Sequence, residues 1–132
     1  MNSNSVYWMN YSIDISKKTS QSELRVGVVL VSEHNELICY AFVGEEPNKS
    51  WYSILLGKVQ KLKIYNAQSI YLTINTLSAT DLFDLIELLN EIRINEIYIG
   101  LPDPALESYL KDDPIITLNN VYRYPNELQC EI

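Results

Sequence analysis

The sequence predicts an α/β protein, a three-layer α/β/α sandwich with helices on both faces of a mixed five-stranded sheet. Three observations carry this. Residues 69–104 read strand, helix, strand with short connections, and such a unit pairs its strands in parallel through a right-handed crossover. Two apolar runs of strand length flank Glu33-His34-Asn35-Glu36, which makes an antiparallel hairpin. Before and between these segments, apolar residues recur at helical spacing. Parallel and antiparallel pairs together make the sheet mixed, and the interleaved helices must cover its faces.

In chain order, a first helix is predicted over 6–16, with Val6, Met9 and Ile13 on its apolar side and Tyr7, Trp8 and Tyr11 beside them. Thr19-Ser20-Gln21-Ser22 is loop by composition. Residues 25–31, RVGVVLV, make the strongest strand; it is apolar at nearly every position and should be central, covered on both faces. Residues 37–43, LICYAFV, return as its antiparallel partner. Pro47 opens a second helix running to about residue 62, with Trp51, Ile54, Leu55, Val59 and Leu62 as its apolar face. Lys58, Lys61 and Lys63 close it, where cations complement the helix dipole. Gly57 inside it costs propensity and marks either a packing contact or a weak spot.

The third strand centres on Ile70, Tyr71, Leu72, Thr73 and Ile74. A third helix follows over 81–94, with Leu82, Leu85, Ile86, Leu89 and Ile92 at helical spacing and Ser78 as its start signal. A strand over 97–99 is stopped by Gly100-Leu101-Pro102-Asp103-Pro104. Residues 105–110 fit one or two helical turns, and a last strand spans 115–124. At 132 residues the whole chain, 1–132, reads as one domain.

Apolar content of 47% with 20% charged residues is ordinary for a soluble globular protein. No apolar run approaches the roughly 20 residues that span a bilayer, so no membrane role is expected. The first residues lack the basic start and apolar run of a signal peptide, which predicts the cytoplasm. Two cysteines, Cys39 and Cys130, make no disulfide framework; Cys39 reads as a small buried hydrophobe and Cys130 as a loose thiol. The net charge is −7, with acids spread along the chain. Nucleic-acid binding through phosphates needs a basic patch and is disfavoured.

Four words in order carry a resemblance: Tyr7-Trp8-Met9, the valine–glycine strand 25–31, the strand 70–74, and the strand 97–104 ending in glycine, a hydrophobe, Asp and Pro. At this spacing they resemble the cytidine deaminase-like superfamily, closest to the pyrimidine deaminase domain of riboflavin biosynthesis, over roughly residues 7–104. The resemblance implies the deaminase fold and, in its active members, a zinc ion on three nitrogen or sulfur ligands with a glutamate to move protons.

The chemistry does not carry over. Where the family places a histidine or cysteine, an alanine and a glutamate, this chain has Asn48-Lys49-Ser50-Trp51-Tyr52-Ser53. Leu77 and Thr80 stand at the two cysteine positions, and Asn75 and Thr76 replace the preceding glutamate and proline. His34 lies in a hairpin turn and reads as solvated; its side chain and that of Cys39 diverge beyond zinc's roughly 2.0–2.3 Å reach. No metal, cofactor or zinc-dependent deamination is therefore expected. In the substrate loop, Glu23 would repel a phosphate-bearing ligand. Asp103 is retained from the family motif, either as a relic of ribose- or phosphate-side recognition or as a turn-forming Asp between two prolines.

Trp51, Tyr52, Leu55 and Leu77 are suited to fill the vacated space, giving a closed, dry former site. The competing reading has Trp51 and Tyr52 line an aromatic slot that stacks a flat, nucleotide-like ligand, with Asn75 and Asp103 completing a vestigial pocket. Ten tyrosines and two tryptophans suit an interface. The resemblance implies a homodimer or a heteromer with a deaminase-fold paralogue. The acidic side of the third helix (Asp81, Asp84, Glu87, Glu91) either guides a basic partner or is simply solvated. The leading expectation is an inactive deaminase-fold protein, dimeric, binding a protein or small ligand. The alternatives are a divergent zinc-independent enzyme of nucleotide or riboflavin-type metabolism, and a non-catalytic subunit of an active zinc deaminase.

Overall fold

A computed structural model describes residues 3–18, 26–64, 66–74, 79–100 and 120–124. The elements are α1 (Ser3–Ser16), β1 (Val26–Val31), β2 (Leu37–Phe42), α2 (Trp51–Leu62), β3 (Asn66–Ile74), α3 (Ala79–Glu91), β4 (Arg93–Gly100) and β5 (Asn120–Tyr124). The strands form one sheet in the order β2-β1-β3-β4-β5. β1 runs antiparallel to β2 and β3, while β3, β4 and β5 run parallel. Fold class, strand order along the chain and the parallel crossover thus match the sequence reading.

Alternation along the strands builds two cores. Val28, Leu30, Ile70, Leu72, Ile97 and Ile99 pack with α2 and α3 on one face. Val29, Val31, Tyr71 and Tyr98 meet Trp8, Met9 and Ile15 of α1 on the other. Each fully buried aliphatic side chain contributes about 1.5–3 kcal/mol. β1 is buried at all six positions because both faces are covered.

α1 presents a face that apolar spacing does not reveal. Its buried residues include Ser5, Ser12 and Ser16 with Trp8, Met9 and Ile15, while Tyr7 is 59% exposed and Ile13 only half-buried. The serines are there because the helix lies almost on the sheet. A Cβ placed on Gly27 would stand 2.5 Å from the Ser12 carbonyl oxygen and 2.7 Å from the Ser16 nitrogen. Ser12 Oγ bonds the Gly27 carbonyl at 3.0 Å, the Tyr71 carbonyl at 3.2 Å and Thr73 Oγ1 at 2.9 Å. One small hydroxyl therefore joins α1 to two strands without leaving a buried polar atom unpaired.

α2 starts four residues later than Pro47. Ser50 is its cap, accepting from the Ser53 N–H at 3.1 Å. Asn48, at φ 60, and Gly44, at φ 92, turn the preceding segment. At the other end Lys63 adopts φ 56, and Ile64 N–H bonds the Val59 carbonyl at 3.0 Å, closing the helix with a left-handed residue. Leu62 is 56% exposed and drops out of the apolar face. Gly57 has nothing within 4 Å of an added Cβ, so it is a weak spot and not a packing contact. Gly57→Ala should raise stability by about 0.5–1 kcal/mol in urea denaturation; a loss would mean that the helix bends there.

α3 ends at Glu91, three residues before the predicted end, and β4 starts at Arg93, four before the predicted strand. Ile92 alone connects them, its N–H bonding the Leu88 carbonyl at 3.0 Å. Ile92 and Ile94 are both buried, one below the helix and one in the strand, so an unbroken apolar pattern hid the boundary. The expected turns at 105–110, the start signal at Ser78, the first half of the last strand and Cys130 lie outside the described residues. No helix among the described residues is long and apolar enough to cross a membrane.

Candidate functional site

The sheet has two distinct ends. Phe42, Gly27, Thr73, Gly100 and Tyr124 stand opposite one another across all five strands at one of them. There the three parallel strands finish and α2 and α3 begin. In open α/β sheets the crevice beyond the carboxyl ends of the strands is the usual place for a ligand, and two helix N-termini converge on it here.

Trp51 opens α2 at this end. Its side chain is 1% exposed and packs in the core with Ile54 and Leu55, so the indole is enclosed by the domain. Tyr52 lies half-buried against the same core, its ring 6.3 Å from that of Trp51 and nearly perpendicular to it. Burial raises the Tyr52 phenol above its ordinary range, and Glu87, Glu91 and Asp84 of α3 raise it further. The acidic side of α3 thus acts on a residue of its own chain. Phe83, 62% exposed on α3, is an aromatic that helical spacing did not single out. Trp51 and Tyr52 are brought together; Asn75 and Asp103 lie outside the described residues, as do Leu77 and Glu23.

Among the described residues the head of α2 offers no donor of the kind that usually holds zinc. The side chains from Ser50 to Ser53 are two hydroxyls, an indole and a phenol, none a thiolate or imidazole of the kind that holds zinc. Among the described residues no group of three His, Cys, Asp or Glu side chains lies close enough to hold a metal. His34 sits in the β1–β2 turn beside Glu33, at 3.5 Å with its side chain 77% exposed.

The segment leading into α2 carries an ion pair that no sequence spacing signals. Glu45 pairs with Lys58 from the middle of α2, and Lys58 Nζ also donates to the Tyr40 carbonyl. The same ammonium stands 4.7 Å from the centre of the Tyr40 ring. Glu45 Oε1 is buried without a protein partner among the described residues. Lys58 is therefore set apart from Lys61 and Lys63, with which the sequence groups it. Cys39 lies buried nearby; burial pushes its thiol up to about 11, Lys58 pulling it down and Glu45 raising it. In a Cys130→Ser variant, a thiol reagent at pH 8 should react with native Cys39 on the order of a hundredfold more slowly than with the unfolded chain. Because the folded state holds this proton longer than the unfolded one, stability should fall as pH rises from 9 towards 11.

No family model matches the chain, and no characterised protein matches it by sequence. Solved structures do match. RibD of Acinetobacter baumannii superposes in two forms, with TM-scores of 0.63 and 0.62 at 18% identity, over 94% of this chain and 36% of that one. A diaminohydroxyphosphoribosylaminopyrimidine deaminase/5-amino-6-(5-phosphoribosylamino)uracil reductase of Thermotoga maritima gives a TM-score of 0.62 at 18% identity, over 97% of this chain and 39% of that one. The chain thus spans under two-fifths of the length of these proteins, whose fold it shares over nearly all of its own.

Proposed function

We propose that this chain, built on the fold of those deaminase proteins, is a non-catalytic binding module that engages a protein or a small nucleotide-like ligand. In this reading it pairs as a homodimer or with a deaminase-fold paralogue. The observation that carries the proposal is Trp51, an enclosed indole at the head of α2, where the resemblance calls for a metal ligand beside a proton-carrying glutamate. Deamination needs a metal-activated water and a carboxylate to relay its protons, and the segment from Asn48 to Ser53 supplies neither. Exposed Phe83 and half-buried Tyr52 on adjacent helices supply aromatic surface of the kind that protein interfaces favour.

The test is metal analysis of protein purified without chelator, alongside deaminase assays on pyrimidine nucleotides. Zinc well below one equivalent and no turnover are expected; a full equivalent or measurable turnover overturns the reading. Thermal shift against nucleosides, nucleotides and riboflavin precursors separates a small-ligand module from a protein-binding one. Sedimentation velocity checks the pairing.

A further inference from the structure

Towards the far end of the sheet, away from the head of α2, Leu37, Val31, Ser69, Glu96 and Asn120 stand in one row across the strands. A cavity of about 190 Å³ opens there between the first turn of α1, the β1–β2 turn and the starts of β3 and β4. Its walls include Ser5, Ser69, Tyr71 and Tyr98, all at least nine-tenths buried, together with Gln68 and Glu96. The Tyr71 and Tyr98 rings stack at 4.4 Å, and Tyr122 continues the stack at 4.8 Å from Tyr98, so the phenol wall is rigid.

The carboxylate of Glu96 is held in place by three donors. Tyr98 OH donates to Oε2 at 3.0 Å; Gln68 Nε2 and Ser69 Oγ donate to Oε1 at 3.0 and 3.4 Å. Ser5 Oγ donates in turn to Tyr98 OH at 3.1 Å. Burial pushes the Tyr98 phenol well above its ordinary range; the Ser5 hydroxyl offsets part of this, and Tyr71 and Glu96 add to it. Tyr98 thus serves as a hydrogen-bond donor to the Glu96 carboxylate. The charged side chains that line the cavity are Glu33 and Glu96, and no Lys, Arg or His lines it among the described residues. Glu33 is largely exposed, which leaves Glu96 as the oriented charge. The head of α1 brings about +0.5 elementary charge to the cavity, half of what Glu96 carries.

We propose that this cavity is a binding site for a small aliphatic primary ammonium compound, with Glu96 as counter-ion and the Tyr71–Tyr98 stack as its wall. Glu96 Oε2 takes only one of these three hydrogen bonds and retains acceptor capacity for an ammonium. At about 30 Å³ per water of liquid volume, the space suits a ligand of about six non-hydrogen atoms. This site is independent of the one around Trp51 and stands or falls without it.

Calorimetric titration at low salt with 1,4-diaminobutane tests it, with butane-1,4-diol as the neutral counterpart of equal length. The diamine should saturate a single site and the diol should give no binding. Glu96→Gln, which keeps the shape but removes the charge and turns one accepting oxygen into a donor, should weaken the diamine by roughly tenfold or more. Should that variant fail to fold, Tyr98→Phe keeps the ring stack, removes the one donor to Glu96 Oε2, and should weaken binding about threefold. No saturation by the diamine, equal binding of the diol, or unchanged affinity in a folded variant overturns the assignment.

Discussion

Gly27→Ala should cost about 3 kcal/mol or more, lowering the urea midpoint sharply. The added carbon would meet the Ser12 carbonyl at 2.5 Å and the Ser16 backbone at 2.7 Å. Backbone atoms of a helix cannot step aside singly, so α1 would have to lift and release the three bonds of Ser12. Gly100→Ala is the internal control. There the added carbon meets Met9 Sδ at 2.9 Å, the movable end of a flexible side chain, and the loss should be much smaller. Equal losses at the two positions would contradict the close approach of α1 to β1.

Trp51→Ala should remove about 3–5 kcal/mol by the same measurement, because a fully enclosed aromatic leaves a cavity that its neighbours only partly fill. An apolar cavity of that kind stays dry and accepts a matching apolar molecule. Millimolar indole should therefore restore part of the lost stability in the variant and do nothing for the parent. A change within about 0.5 kcal/mol would instead mean that Trp51 lines an open surface.

Much of this architecture was legible because strand residues 26–31 and 70–74 are apolar and β-branched, and because a helix between two strands admits few arrangements. Boundaries were lost where one apolar pattern ran through two elements, as at Ile92 and Ile94. The buried side of α1 was lost for the opposite reason. Ser12 and Ser16 are chosen for size and hydrogen bonding, and apolar periodicity cannot weigh them. At the head of α2 the sequence singled out Trp51 and Tyr52, whose rings stand 6.3 Å apart. It gave no sign of Glu45 with Lys58, 13 positions apart and joined only by the return of α2 over β2. Nor did it indicate the Glu96 cavity, which four elements assemble from residues that are individually unremarked.

The position of Lys58 also bears on how copies of the chain meet. β2 is the outermost strand on its side of the sheet, and such a margin offers unpaired backbone groups that recruit further strands and seed aggregates. The ammonium occupies one of those carbonyls and places a charge across the line along which a foreign strand would dock. A foreign strand is thereby hindered from docking along this border, and Lys58→Met should make the protein more prone to form fibrils.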